Sequence, residues 1–201
     1  MGKFIYSIKS LFIALFITTL LCAEDKSYKI LSTDIQTLIN DDGTIDFVET
    51  REFSFKGSFT FVYQVIPKRG YDKIYDIQVF EDDVAYLNKD TKQDGTFLID
   101  ERKSSYRIYL YHNSSNETKK FTVKYSLENP FTVGENDSQF YWIYLSDKWD
   151  KRPGNLSISQ KFSSNIQKND IVVDVGGHYG FFDLYCLDND CLLYTSDAAD
   201  E

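Results

Sequence analysis

The chain has 201 residues, a net charge of −9 and 16% aromatic residues. This length suits one sizeable domain with a packed core, and a hydrophobic content of 42% excludes bulk disorder. The acidic balance and the lack of a Lys/Arg cluster exclude a nucleic-acid-binding surface, because phosphate contacts need clustered positive charge.

The first predicted element is a secretory signal peptide over residues 1–23. Lys3 and Lys9 give a positive start, Leu11 to Leu21 is apolar apart from Thr18 and Thr19, and charge returns at Glu24. The apolar run is short for a membrane span, which needs roughly 20 residues. Cleavage after Ala23 removes Cys22. A lipoprotein anchored at Cys22 is the rival reading, but Leu21 is large where a lipobox has a small residue. After cleavage, Cys186 and Cys191 are the only cysteines left to pair in an oxidising compartment. The exported domain then spans 24–190.

Strand follows strand from Ser27. "KILSTDIQTLIN" sets Leu31, Thr33, Ile35 and Thr37 against Ser32, Asp34 and Gln36, and Asp41 to Gly43 is a turn signal. "TIDFVETREFSF" returns as the second arm of a hairpin. "SFTFVYQVIP" begins after Gly57 and ends at Pro67. "YDKIYDIQVF" sets Tyr75, Ile77 and Val79 against Ile74, Asp76, Gln78 and Phe80. "GTFLID", "SYRIYLYH" and "KKFTVKYSLEN" follow, and "HNSSNETKK" (112–120) reads as a solvated hairpin loop. "SQFYWIYLS", "NLSISQKF", "NDIVVDVGG" and "YGFFDLYC" complete the run. No segment holds a helical period, so the pattern predicts an all-β fold. Its expected form is an antiparallel immunoglobulin-like β-sandwich over about 27–186.

Residues that carry chemistry are few. His112 and His178 are the only histidines. His112, at a strand end beside a polar loop, reads as a surface residue, and His178, among glycines, reads as part of a turn. No set of His, Cys and carboxylates has metal-ligand spacing. Glu81 to Asp83 and Asp188 to Asp190 read as turns rather than calcium loops. Glu49 and Gln64 lie on strands with alternating apolar neighbours and read as structural or weakly functional, not catalytic. The sequence therefore predicts no catalytic residue, no metal and no cofactor.

One stretch looks enzymatic. Asp174-Val-Gly176, with Gly180 four residues on, resembles the glycine loop of S-adenosylmethionine-dependent methyltransferases. Such a loop follows the first strand of an α/β domain, whereas about ten strands precede it here. A hairpin turn or bulge over 174–180 fits the rest of the chain better; the methyltransferase fragment is the alternative.

The order of segments also resembles a family of predicted bacterial membrane proteins, the YciQ-like proteins, catalogued as domain of unknown function 2207. "INDDGTIDFVETREFSFKGSF", carrying Val48 and Glu49, is similar to the family's opening hairpin. "FVYQVIP" is similar to a Tyr-Arg-x-Ile-Pro segment, with Gln64 in place of the Arg. "FTVKYSLENPF" and "SQFYWIYLSDKWDKRPGNLSISQKF" are similar to later strands, with Ile143 where Asn commonly follows the first Trp. "VDVGGHYG" corresponds to a segment with an aromatic beside glycines. The resemblance covers about residues 27 to 185. It implies an N-terminal domain facing outward from the cytoplasmic membrane, followed by membrane helices, with no known activity.

Two function classes follow: a non-catalytic envelope module that binds a partner, or an enzyme whose site the sequence hides. In the first, Trp142, Tyr144 and Trp149, with Tyr141, form a candidate aromatic patch for an envelope protein or a glycan. The competing reading makes Trp142 a core anchor.

The tail "CLLYTSDAADE" (191–201) back-translates into the transposon-end adapter of short-read sequencing libraries. These residues are therefore expected not to be natural protein, the gene is expected to continue past Asp190, and a Cys186–Cys191 disulfide is expected to be spurious. The apolar "CLLYT" alone can still extend a strand.

Overall fold

A computed structural model describes residues 26–133, 138–144, 151–163, 172–174 and 192–194. The described residues form strands and turns and no helix, so the fold is all-β.

Numbered in chain order, six strands make the larger sheet, in the order β12-β1-β2-β9-β4-β5. They are β1 (Ser27–Ile39), β2 (Ile45–Lys56), β4 (Lys73–Glu81), β5 (Val84–Ala85), β9 (Thr118–Glu128) and β12 (Asn155–Phe162). Four make the second sheet, in the order β3-β8-β7-β6: β3 (Ser58–Pro67), β6 (Leu87–Asn88), β7 (Thr96–Glu101) and β8 (Ser105–Ser115). Two short pairs join β10 (Phe131–Val133) to β11 (Ser138–Phe140), and β13 (Val172–Asp174) to β14 (Leu192–Tyr194). β14 falls in the apolar stretch of the tail.

The ladders are not wholly antiparallel, as the sequence pattern had suggested. β12 runs parallel to β1, β6 to β7, and β13 to β14. A parallel pair needs a crossover rather than a hairpin. Turn chemistry explains the local folding of the first hairpin. Gly43 takes a φ of 80°, and Thr44 donates its N–H to the Asp42 side chain at 3.0 Å. At the other end of β2, Gly57 (φ 81°) donates to Asn116 Oδ1 at 2.7 Å, which ties two turns together.

One hydrophobic core draws on both sheets. Ile35, Phe47, Phe53 and Phe121 come from the larger sheet, and Ile66, Phe97, Ile108 and Leu110 from the smaller. Alternation works as expected on β1, where Thr33, Ile35, Thr37 and Ile39 are buried. It fails on β4. The register against β9 shifts between Tyr75 and Gln78, and Asp76 there has a φ of 53°. This bulge changes parity, so Ile74 and Val79, which simple alternation sets on opposite faces, are both buried.

Two further expectations are corrected around His112. The stretch 112–120 is mostly strand: β8 runs to Ser115 and β9 begins at Thr118, leaving Asn116 and Glu117 as the turn. His112 is therefore not a surface residue. The alternation that buries Ile108 and Leu110 continues to His112 and Ser114. His112 is 1% exposed and lies between Phe55 and Phe121, with ring centroids at 5.1 and 5.0 Å. The sequence had hidden this because polar letters after Tyr111 look like loop, whereas β3 stays paired with β8 through a register shift between Phe59 and Phe61.

Candidate binding surface

The interior row of β2 is unusual. Ile45, Phe47, Glu49, Arg51, Phe53 and Phe55 share the core-facing side, so two charged residues point inward. Glu49 is 6% exposed. Its carboxylate accepts a hydrogen bond from the Tyr125 hydroxyl at 2.6 Å and pairs with Arg51 at 2.8 Å. Burial first, and then the Glu49 charge, hold the Tyr125 phenol well above its ordinary pKa. Gln64, also buried, lines a small pocket between the sheets with Arg51, Phe53, Val62, Leu110 and Phe121. Gln64 holds the place where the resemblance expects Arg. The guanidinium beside Glu49 is that of Arg51 on the same strand.

A second polar cluster closes one end of the core. Glu81 accepts from Lys119 at 2.5 Å and from the Tyr86 hydroxyl. Burial would raise the Glu81 pKa, but the hydrogen bonds from Lys119 and Tyr86 outweigh it and hold the carboxyl below its ordinary value. Asp82 and Asp83 form the turn from β4 to β5. Among the described residues, no group of three or more His, Cys, Asp and Glu is placed to hold a metal ion.

The predicted partner-binding residues divide. Trp142 and Tyr144 are half-buried. Trp142 packs on Phe47 at 5.1 Å and stacks on Phe140 at 6.2 Å. Tyr144 lies 6.4 Å from Phe47, its hydroxyl hydrogen-bonds Gln160 at 3.2 Å, and burial raises its pKa to about 12. Tyr141 and Ile143, on the alternate side, are exposed at 72% and 52%. Trp149 lies outside the described residues, as do Gly176 and Gly180 of the glycine loop, His178, Cys186 and Cys191.

A larger aromatic surface escaped the sequence reading. It is the outer face of the four-stranded sheet. On β3, Val62, Gln64 and Ile66 turn inward, and Phe61, Tyr63 and Val65 are 44, 43 and 46% exposed. The register sets Phe61 opposite Tyr111, Tyr63 opposite Tyr109 and Val65 opposite Arg107. On the far side of β8, Thr96, Leu98 and Asp100 of β7 continue the three rows. The rings touch: Phe61 to Tyr109 at 5.7 Å, Tyr63 to Tyr109 at 5.9 Å, and Tyr109 stacked on Tyr111 at 6.2 Å. The Arg107 guanidinium lies 4.6 Å over the Tyr63 ring and reaches the Tyr109 hydroxyl at 3.4 Å. Sheets with one wet face alternate apolar-in and polar-out. Here both faces are apolar. The signal lay in "SFTFVYQVIP" and "SYRIYLYH", whose outward positions carry Phe61, Tyr63 and Val65 on one strand and Tyr109 and Tyr111 on the other.

A family model described as the predicted membrane protein (DUF2207) N-terminal domain matches residues 29–181. No curated protein matches. Among solved structures, a protein from Parabacteroides distasonis named as a candidate protease aligns with a TM-score of 0.30 and 10% identity. That alignment covers 51% of this chain and 23% of the other, and it carries no inference. Among the described residues, no helix is long and apolar enough to cross a membrane.

Proposed function

The chain belongs to this family of predicted membrane proteins, as its N-terminal domain, and from that premise we propose that it is a non-catalytic envelope domain that binds a protein partner outside the cytoplasmic membrane. In this reading residues 1–23 export the domain, which folds as an immunoglobulin-like sandwich. Membrane helices after it, expected from the resemblance, provide the anchor.

The observation that supports binding is the outer face of the four-stranded sheet. Tyr and Arg are the residues most enriched where interfaces gain their energy, and Tyr63, Tyr109 and Arg107 are stacked together there. The ring planes of Phe61 and Tyr63 are tilted by 59° and 49° to that of Tyr109, and Tyr111, at 10° to Tyr109, is buried. A flat sugar ring stacks on a coplanar platform, so the tilt favours a protein partner over a glycan. Trp142, Tyr144 and Trp149 remain the second candidate surface.

Site-specific photo-crosslinking in intact cells tests both parts. A crosslinker at Tyr109, in the full-length membrane protein, should give a discrete protein adduct that Tyr63→Ala removes. The same group at Val84, exposed on a different edge, should not. A membrane-impermeant thiol reagent should label Val84→Cys from outside the cell. Adducts only to glycan, or none above the Val84 control, would overturn the protein-partner reading. Labelling only after lysis would overturn the outward orientation.

A further inference from the structure

We propose that His112, Glu81 and Lys119 form an acid-operated latch: when His112 takes up a proton, Glu81 passes from Lys119 to His112, and the start of β9 loosens. The inference goes beyond partner binding and does not rest on it, because it concerns groups packed at one end of the core.

The His112 ring is held between Phe55 of β2 and Phe121 of β9, and neither of its nitrogens has a hydrogen-bond partner among the described residues. The next inward group on β8, the Ser114 hydroxyl, is buried and unpartnered too. Buried polar groups are ordinarily bonded. Glu81 stands opposite Phe121 in the ladder of β4 and β9, on the inward side with Val79. Lys119 lies two residues before Phe121 and also turns inward. The Tyr86 ring meets Phe121 edge-on at 6.2 Å. His112 and the Glu81–Lys119–Tyr86 cluster thus pack about one ring.

Charge reaches His112 from Lys119 on β9, Glu81 on β4, Asp94 before β7 and Glu117 in the turn after β8. β2 adds Glu49 and Arg51 farther along its inward row, paired with each other at 2.8 Å, and β3 carries no charged residue. Asp94 and Glu117 are exposed, and each already accepts a hydrogen bond, from the Asn113 amide and from the Ser115 N–H. Glu81 is the acceptor beside the core. Both its oxygens are occupied, one by Lys119 at 2.5 Å and the other by the Tyr86 hydroxyl. One donor must leave before a protonated His112 can bond. Tyr86 is buried, and leaving would strand its hydroxyl. Lys119 repels a second cation, and its flexible stem can carry the ammonium into water. Lys119 is therefore the donor that goes, and the first residues of β9 lose their side-chain tie to β4.

The order of protonation agrees with this exchange. Against its burial, the hydrogen bonds from Lys119 and Tyr86 hold the Glu81 carboxyl below its ordinary pKa, and a charged His112 beside it lowers it further. Burial first, and then Lys119, keep the His112 ring neutral until about pH 4. The latch is closed above the ordinary histidine value of 6.5 and opens as pH falls toward 4.

An NMR titration of the isotope-labelled full chain, from neutral pH down through the His112 midpoint, tests the latch. The His112 ring should charge while the amides of β1 and β2 keep their native shifts. The Lys119 ammonium signals should move with the same midpoint, and amide exchange should rise across 113–119. Lys119→Met removes the competing donor and should raise the proton affinity of His112 about tenfold. Glu81→Gln removes the acceptor's charge and should delay the charging of His112 until the whole fold is lost. Lys119→Met carries the test where Glu81→Gln does not fold at neutral pH. A His112 that charges only as the whole fold melts, Lys119 signals indifferent to that step, or an unchanged midpoint in Lys119→Met would overturn the proposal.

Discussion

Tyr125 reaches across from β9 to donate a 2.6 Å hydrogen bond to Glu49 inside the core, and Arg51 holds the other carboxylate oxygen at 2.8 Å. The register places Tyr125 directly opposite Phe47, on which it stacks at 4.8 Å, and one inward position from Glu49. The phenol thus packs with its ring and bonds with its hydroxyl.

Removing that hydroxyl should cost about 2 kcal/mol, the range for a hydrogen bond to a charged group. Glu49→Ala should cost more, about 3 kcal/mol or above, because it leaves the Arg51 charge largely buried beside an empty site. Urea unfolding of Tyr125→Phe and Glu49→Ala would report this as lowered midpoints with an unchanged slope. Equal stability of Glu49→Ala and wild type would show the pair to be energetically idle.

His112 should make the fold sensitive to acid. Burial, with the Lys119 charge adding to it, pulls its pKa down to about 4 from an ordinary 6.5; Glu81, Asp94 and Glu117 act the other way. Neither ring nitrogen has a hydrogen-bond partner among the described residues. The unfolded chain takes up the proton first, so the stability is present above pH 6.5 and is lost as pH falls toward 4. Between pH 7 and pH 5 the loss should be about 2 kcal/mol. Thermal melts of wild type and His112→Phe at both pH values would check it: the variant should lose this part of the pH dependence.

Gly154 precedes β12 and has no room for a side chain. A Cβ there would stand 2.8 Å from the Leu31 carbonyl oxygen, and its own N–H bonds to Ile30 at 2.9 Å. Backbone on both sides cannot move aside cheaply. Gly154→Ala should destabilise the docking of β12 on β1 by about 1–3 kcal/mol. Hydrogen exchange should rise across 155–162 while β2 and β9 stay protected.

Trp142 packs against Phe47, Phe140 and Tyr71 at ring distances of 5.1–6.2 Å. Trp142→Ala should cost about 2 kcal/mol, less than for a fully buried Trp because the indole is half-exposed. A loss near zero would show that these ring contacts add nothing to the stability of the fold.

The sequence pattern was legible wherever alternation was simple. β1, the Asp41 to Gly43 turn and the end of β3 at Pro67 all followed from it. It was misleading where a bulge changed parity, as at Asp76, because one extra residue leaves no compositional trace. It was misleading again at His112, where polar residues continue a strand. Glu49 and Arg51 share a face with Phe47 and Phe53 by geometry alone, and chemistry gave no hint that charges would be tolerated inside. The sequence drew attention to Trp142 and Tyr144 because they lie close together in one stretch. The ladder of Phe61, Tyr63, Tyr109 and Tyr111 is assembled from two distant strands, so only pairing reveals it.

The parallel pairing of β1 with β12 has a consequence in time. Ser32 meets Asn155, a separation of 123 residues along the chain. At synthesis rates of about 5–20 residues per second, the outer edge of β1 waits roughly 6–25 s for its partner. The β1–β2 hairpin can close during that interval, but the larger sheet cannot finish until residue 162 has emerged. A helper protein that holds strands in the unfolded state would find its longest-lived target on the first strand to appear.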